Sequence, residues 1–182
     1  MKKIIIKTIS LIILLALSNQ SFCQLGKEKV EALAEAYFKT YAERNDWQVF
    51  LDFYDEALYF EDLQFRLVCS NLDSFKRFYD WPNPAFKKID DNKPILKLEQ
   101  LLINDSIAVG IGFFDSFYWQ NGYIPGPWEF SITLVFNSEG KIIRQTDFIN
   151  YPLAFLCGNE KLNGDIVLWM ENRKHFIQSP KE

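Results

Sequence analysis

The sequence predicts an α+β domain: a curved antiparallel sheet closed into a cone around three N-terminal helices, with an extra helix at the C-terminus. Three observations lead there. Between residues 26 and 80, apolar residues recur at helical spacing in three separate runs. From Ile95 onward they alternate, and turn residues punctuate the alternation. Helical and extended patterns therefore occupy different parts of the chain, which segregates helices to one side of a sheet.

Residues 1–23 read as a signal peptide. Lys2, Lys3 and Lys7 form a positive start, Ile9 to Leu17 is apolar apart from Ser10, and Ser21-Phe22-Cys23 precedes the expected cut before Gln24. The apolar core is short for a membrane span. The expected location is periplasmic or secreted, with no membrane contact after cleavage. An uncleaved anchor is one alternative. A lipoprotein held at Cys23 is another, placed second because Phe22 stands where a small residue normally precedes the lipidated cysteine. Residues 24–158 are expected to form one domain, and residues 159–182 a tail whose helix, capped by Asp165, docks on it.

The chain has a net charge of −4, and losing the three leader lysines takes it to −7. An acidic chain with no basic cluster argues against nucleic acid and anionic membrane as partners. Aromatic residues make up 16%, enough to fill a core and also line a pocket. The single histidine, His175, excludes a multi-histidine metal site and argues against a Ser-His-Asp triad. No metal or cofactor is expected. Cys69 and Cys157 are either a disulfide or two separate thiols.

The elements follow in order. Val30, Leu33, Ala34, Tyr37, Phe38 and Tyr41 make one face of a helix over 26–44, with Glu35 and Lys39 as an outer i, i+4 pair. Asp46 can cap a short second helix carrying Trp47, Phe50, Leu51 and Tyr54. A strand is expected at 57–62. Ser70-x-x-Asp73 resembles a capping box for a third helix with Leu72, Phe75, Phe78 and Tyr79 inside. Trp81 to Pro94, with three prolines, reads as a loop. Ile95–Ile103 and Ser106–Trp119 flank a tight turn at Asn104-Asp105. Gly110 and Gly112 fall on one face of the second of these strands and permit a bend or a close approach. Gln120 to Gly126 is turn material. Trp128–Phe136 presents Trp128, Phe130, Ile132, Leu134 and Phe136 on one face, and Gly140–Asn150 supplies the last strand.

Two stretches resemble the nuclear transport factor 2-like fold, in its SnoaL-like and ketosteroid-isomerase-like branch: Tyr54-Asp-Glu-Ala-Leu-Tyr-Phe-Glu-Asp62-Leu and Gly140-Lys-Ile-Ile-Arg-Gln-Thr-Asp147-Phe. The resemblance covers residues 26–152. It implies a cone with an open end. It also implies that Asp62 stands where the isomerases keep their base, with Leu63 in place of the usual proline. Asp147 would match the acid/base aspartate of the SnoaL-like cyclases. Phe38 falls where the isomerases carry a tyrosine, and Tyr37 lies beside it. The fold hosts isomerases, dehydratases, cyclases and non-catalytic binders, so it does not choose among them.

A carboxylate inside an apolar cone has its pKa raised and can act as an acid or base near neutral pH. Asp147 and Asp62 are therefore the candidate catalytic residues. The alternatives are a solvated Asp62 at a strand end, and an Asp147 facing outward or paired with Arg144 or Arg66. Trp47, Tyr54, Phe60, Trp119, Glu129 and Gln145 are the candidate substrate contacts. The leading expectation is binding of a small apolar molecule. Cofactor-independent isomerase, dehydratase or cyclase chemistry is the second, and a homodimeric interaction module the third.

Overall fold

The structure, a computed structural model, describes residues 25–151. The expected leader and tail helix, Cys157 and His175 lie outside the described residues, and with them the Cys69–Cys157 question. Three helices and nine strands are described: α1 (Lys27–Glu43), α2 (Trp47–Leu51), β1 (Tyr54–Asp62), β2 (Leu67–Cys69), α3 (Leu72–Tyr79), β3 (Phe86–Lys88), β4 (Leu96–Ile103), β5 (Ile107–Phe114), β6 (Phe117–Trp119), β7 (Gly122–Ile124), β8 (Trp128–Phe136) and β9 (Ile142–Ile149).

Helix α1 buries Val30, Ala34, Tyr37, Phe38 and Tyr41, the stripe set by their spacing. It ends where Arg44 turns left-handed and returns its N–H to Thr40. On its outer face Lys39 meets Glu43 rather than Glu35. The Asp46 carboxylate caps α2 by accepting the Val49 N–H at 2.9 Å. The sequence extends α2 to Tyr54, but it stops at Leu51. Tyr54 instead opens β1 opposite Ile142, because an inward position is served equally well by a strand. Helix α3 is capped by Asn71, one residue past the expected Ser70, through the Ser74 N–H.

Six strands form the main sheet in the order β2-β1-β9-β8-β5-β4. All neighbours are antiparallel except β1 and β9, which run parallel. The curved antiparallel sheet is as expected apart from this pair, in which the last strand returns beside the first and runs in the same direction. The β4–β5 turn at Asn104-Asp105 is closed by Asn104 N–H to Ile107 O at 2.8 Å. The stretch 106–119 is not one strand. It breaks at Asp115-Ser116, where the Asp115 N–H bonds the Ile95 carbonyl at 2.8 Å. Beyond the break, β6 pairs with β3 and β7 in a small second sheet built from the supposed loop and turn segments. Strands of three residues are too short for alternation to reveal them.

Helix α1 lies across β5 because Gly110 has no side chain. A Cβ there would stand 2.1 Å from Phe38 Cζ. Phe38 is thereby fixed between Gly110 and the Phe130 ring, 6.1 Å away, and is a core residue. Strand β8 turns Trp128, Phe130, Ile132, Leu134 and Phe136 inward, as its alternation predicts.

Candidate functional site

The site begins with one extra residue in β9. Val135 pairs with Arg144, but the next residue of β8, Phe136, pairs with Ile142, so Ile143 is bulged out. Side chains alternate along a strand, so one inserted residue exchanges its faces. Without the bulge, counting from Ile142 would turn Arg144, Thr146 and Phe148 inward. With it, Gln145, Asp147 and Ile149 are buried, while Arg144 and Phe148 are exposed.

Parallel pairing then sets Phe60 beside Gln145 and Asp62 beside Asp147. Both aspartates are buried on the same inner face. Arg144 takes neither of them. It sits outside, 3.7 Å from Glu61 and over the Tyr59 ring.

A chain of hydrogen bonds holds Asp147. Tyr37 and Tyr54 donate to Gln145 Oε1 at 3.1 and 2.7 Å. With that oxygen filled, the Gln145 amide nitrogen turns to Asp147 Oδ1, 2.8 Å away, and to Tyr79 Oη at 3.0 Å. Tyr79 donates to the other carboxylate oxygen at 2.8 Å. Burial pushes the Asp147 carboxyl up to about 7. The bonds from Gln145 and Tyr79 pull it down, and the charge of Asp62 adds a smaller upward push. Burial, followed by the neighbouring Asp147 charge, holds the Tyr79 phenol well above its usual range, so it stays protonated and remains a donor.

Asp62 is differently occupied. Its Oδ1 accepts the N–H groups of Gln64 and Phe65, both at 2.9 Å, and its Oδ2 accepts the Tyr151 hydroxyl at 2.8 Å. Burial raises its carboxyl, against the bonds from Phe65, Tyr151 and Gln64. Both oxygens are committed to anchoring a turn and a phenol. The solvated alternative is corrected: Asp62 is fully buried, because its backbone partners fold over it.

A cavity of about 260 Å³ lies among the ends of α1 and α3, the small sheet and strands β5, β8 and β9. Phe78, Phe114, Phe117, Trp119, Trp128 and Ile149 supply apolar wall, and Arg44, Tyr41, Tyr79 and Tyr151 supply its polar groups. Neither aspartate is part of the wall; each stands one layer behind it, Asp147 behind Tyr79 and Asp62 behind Tyr151. Among the expected substrate contacts, Trp119 is in the wall. Tyr54 and Phe60 are buried core, Gln145 is in the network behind Tyr79, and Trp47 is half-buried against Phe50 and Trp81. Glu129 is exposed on the outer face of β8, since its neighbours Trp128 and Phe130 take the inner one. Sequence reasoning did not assign a site role to Arg44, Tyr79 or Tyr151. Tyr79 carried a signal, as the last inward position of α3. Among the described residues, no three His, Cys, Asp or Glu side chains converge as a metal site would.

No family model and no curated protein matches the sequence. Solved structures do. A proposed SnoaL-like polyketide cyclase from Shewanella denitrificans is 18% identical with a TM-score of 0.55, covering 66% of this chain and 90% of its own. A proposed ketosteroid isomerase from Kribbella flavida is 21% identical with a TM-score of 0.51, over 75% and 88%. The fold is nuclear transport factor 2-like. A third structure, a nuclear transport factor 2-like protein of unknown function from Burkholderia xenovorans, is 14% identical with a TM-score of 0.52, over 78% and 93%. At these identities the likeness concerns the cone itself, and the chemistry has to be argued from the side chains within it.

Proposed function

We propose that this chain binds a small, largely apolar molecule in the cavity, with the Tyr79 phenol as its polar contact and Asp147 as the group that holds that phenol. The observation that carries the reading is a cavity of about 260 Å³ walled mainly by aromatic rings, with the phenols of Tyr41, Tyr79 and Tyr151 in its lining. Such sites take apolar ligands by burying them and orient them with few polar groups. The ligand class is aromatic or alicyclic, of the size of two fused rings. In the same reading the leader is cut before Gln24 and the domain works in the periplasm or outside the cell. There it acts alone or as a homodimer joined through the outer sheet face.

A second reading, a cofactor-independent acid–base enzyme, is favoured by one observation: a carboxyl near pKa 7 lies 2.8 Å from a phenol in the cavity wall. In it, protonated Asp147 donates to Tyr79, the phenol turns its own proton onto a ligand carbonyl, and as charge develops on that oxygen Tyr79 passes it the proton and is reprotonated by Asp147. Asp147 would be a positioning and proton-holding group rather than one touching the ligand.

The test is a titration of 2-naphthylmethanol followed by tryptophan fluorescence, since Trp119 and Trp128 are in the wall. The binding reading expects saturable quenching that is lost in an Ile149→Phe variant, whose larger side chain fills the cavity. Quenching unchanged by that variant would place the ligand elsewhere and sink the reading.

A further inference from the structure

Among the described residues, the polar wall of the cavity holds a cation with no carboxylate beside it. Arg44 lines the cavity beside Tyr41 and Tyr79. Its guanidinium is clamped between rings, 3.9 Å from the Phe86 centroid and 4.9 Å from that of Trp81. Its Nε is buried with no hydrogen-bond partner. Among the described residues no carboxylate comes within ion-pair distance of it. The one carboxylate whose charge reaches Arg44, Asp80 at the C-terminal end of α3, is exposed and accepts the Asn83 amide.

From this geometry we infer that the cavity's ligand is a monocarboxylate, its apolar body against the aromatic wall and its carboxylate on Arg44. The inference rests on the cavity being the binding site. Its physical basis is that Arg44 is half-buried with its Nε enclosed, and a guanidinium set in an aromatic wall away from carboxylates is placed to take an anion. Stacking between Phe86 and Trp81 orients the planar fork but satisfies none of its N–H donors, and carboxylates match that fork with two parallel bonds. Burial lowers the Arg44 pKa to about 10, which leaves it charged at neutral pH. The other polar groups of the wall, the phenols of Tyr41, Tyr79 and Tyr151, are protonated donors or acceptors that do not compete with an anion for Arg44.

The experiment compares two probes of one shape, 2-naphthoate and 2-naphthylmethanol, by isothermal titration at neutral pH. They are run on the wild type, Arg44→Gln and Arg44→Lys, with each variant's melting curve recorded. The expected result is naphthoate bound at least about tenfold more tightly than the alcohol, the scale of one charge-assisted bond. Arg44→Gln should abolish that preference, and Arg44→Lys should keep part of it. Equal affinities in the wild type overturn the carboxylate inference and leave the cavity reading standing. So does a preference that survives in a folded Arg44→Gln. If neither probe binds at millimolar concentration, the cavity reading falls, and this inference with it. Because the wild-type comparison decides by itself, a variant that fails to fold does not shelter the inference.

Discussion

Replacing Asp147 by Asn should change how stability depends on pH. In the unfolded chain this carboxyl has its ordinary pKa of 3.8, and burial in the fold raises it to about 7. Between those values the folded protein holds a proton that the unfolded chain has released, so stability falls as pH rises across that window. The group's favourable contribution is complete below about pH 4 and gone above about pH 7. The ceiling on the loss is the pKa difference times about 1.36 kcal/mol per unit, or about 4 kcal/mol. Asn does not titrate but keeps the shape. Its oxygen can accept from Gln145, and its amide can donate to Tyr79 once that hydroxyl turns. Asp62 also has a raised carboxyl, but it is present in both proteins and largely cancels. Urea denaturation of wild type and Asp147→Asn from pH 4 to pH 8 reads the difference. The variant should gain on the wild type by up to about 4 kcal/mol across this range, or about 10 °C in melting temperature. Parallel stability curves would show that Asp147 is not a buried, proton-holding carboxyl, and the proton-relay reading would lose its basis.

Other consequences can be checked alongside. Gly110→Ala drives a methyl into the Phe38 ring and should cost about 1–3 kcal/mol in urea denaturation, with Phe38→Leu recovering part of it. Gln145→Leu removes the acceptor of Tyr37 and Tyr54 and one donor to Asp147. It should cost about 3 kcal/mol, and carboxyl NMR should find Asp147 titrating higher than in the wild type, because a bond that favoured the anion is gone. Tyr151→Phe takes one donor from Asp62, so the Asp62 titration should move up while that of Asp147 moves little.

What could be read from sequence tracks how local each signal is. Strand β8 shows itself because nine residues alternate without a break, and α1 because its six apolar positions hold helical phase over about three turns. The small sheet of β3, β6 and β7 did not, since its strands are three residues each and its pairings are distant in sequence. The two aspartates were legible as unusual strand residues. Their orientation was not, because Ile142-Ile143 is apolar at both positions and fits either phase of β9; only pairing with β8 shows which residue bulges. Their partners were less visible still. Asp62 meets Tyr151 and Asp147 meets Tyr79 across 89 and 68 residues, and a tyrosine suits a core as well as a site. Arg44 looked like an ordinary charged residue at a helix end. Its meaning comes from Trp81 and Phe86, which the fold brings to it from the loop after α3 and from β3 respectively.

The most direct measurement is a crystal structure of residues 24–182 grown with 2-naphthylmethanol. The account predicts ring density between Phe114, Phe117 and Trp128, with the hydroxyl within hydrogen-bond reach of Tyr79 Oη and Asp147 behind it, out of contact with the ligand. An empty cavity at saturating ligand, or the ligand seated on the outer face of the sheet, would contradict it.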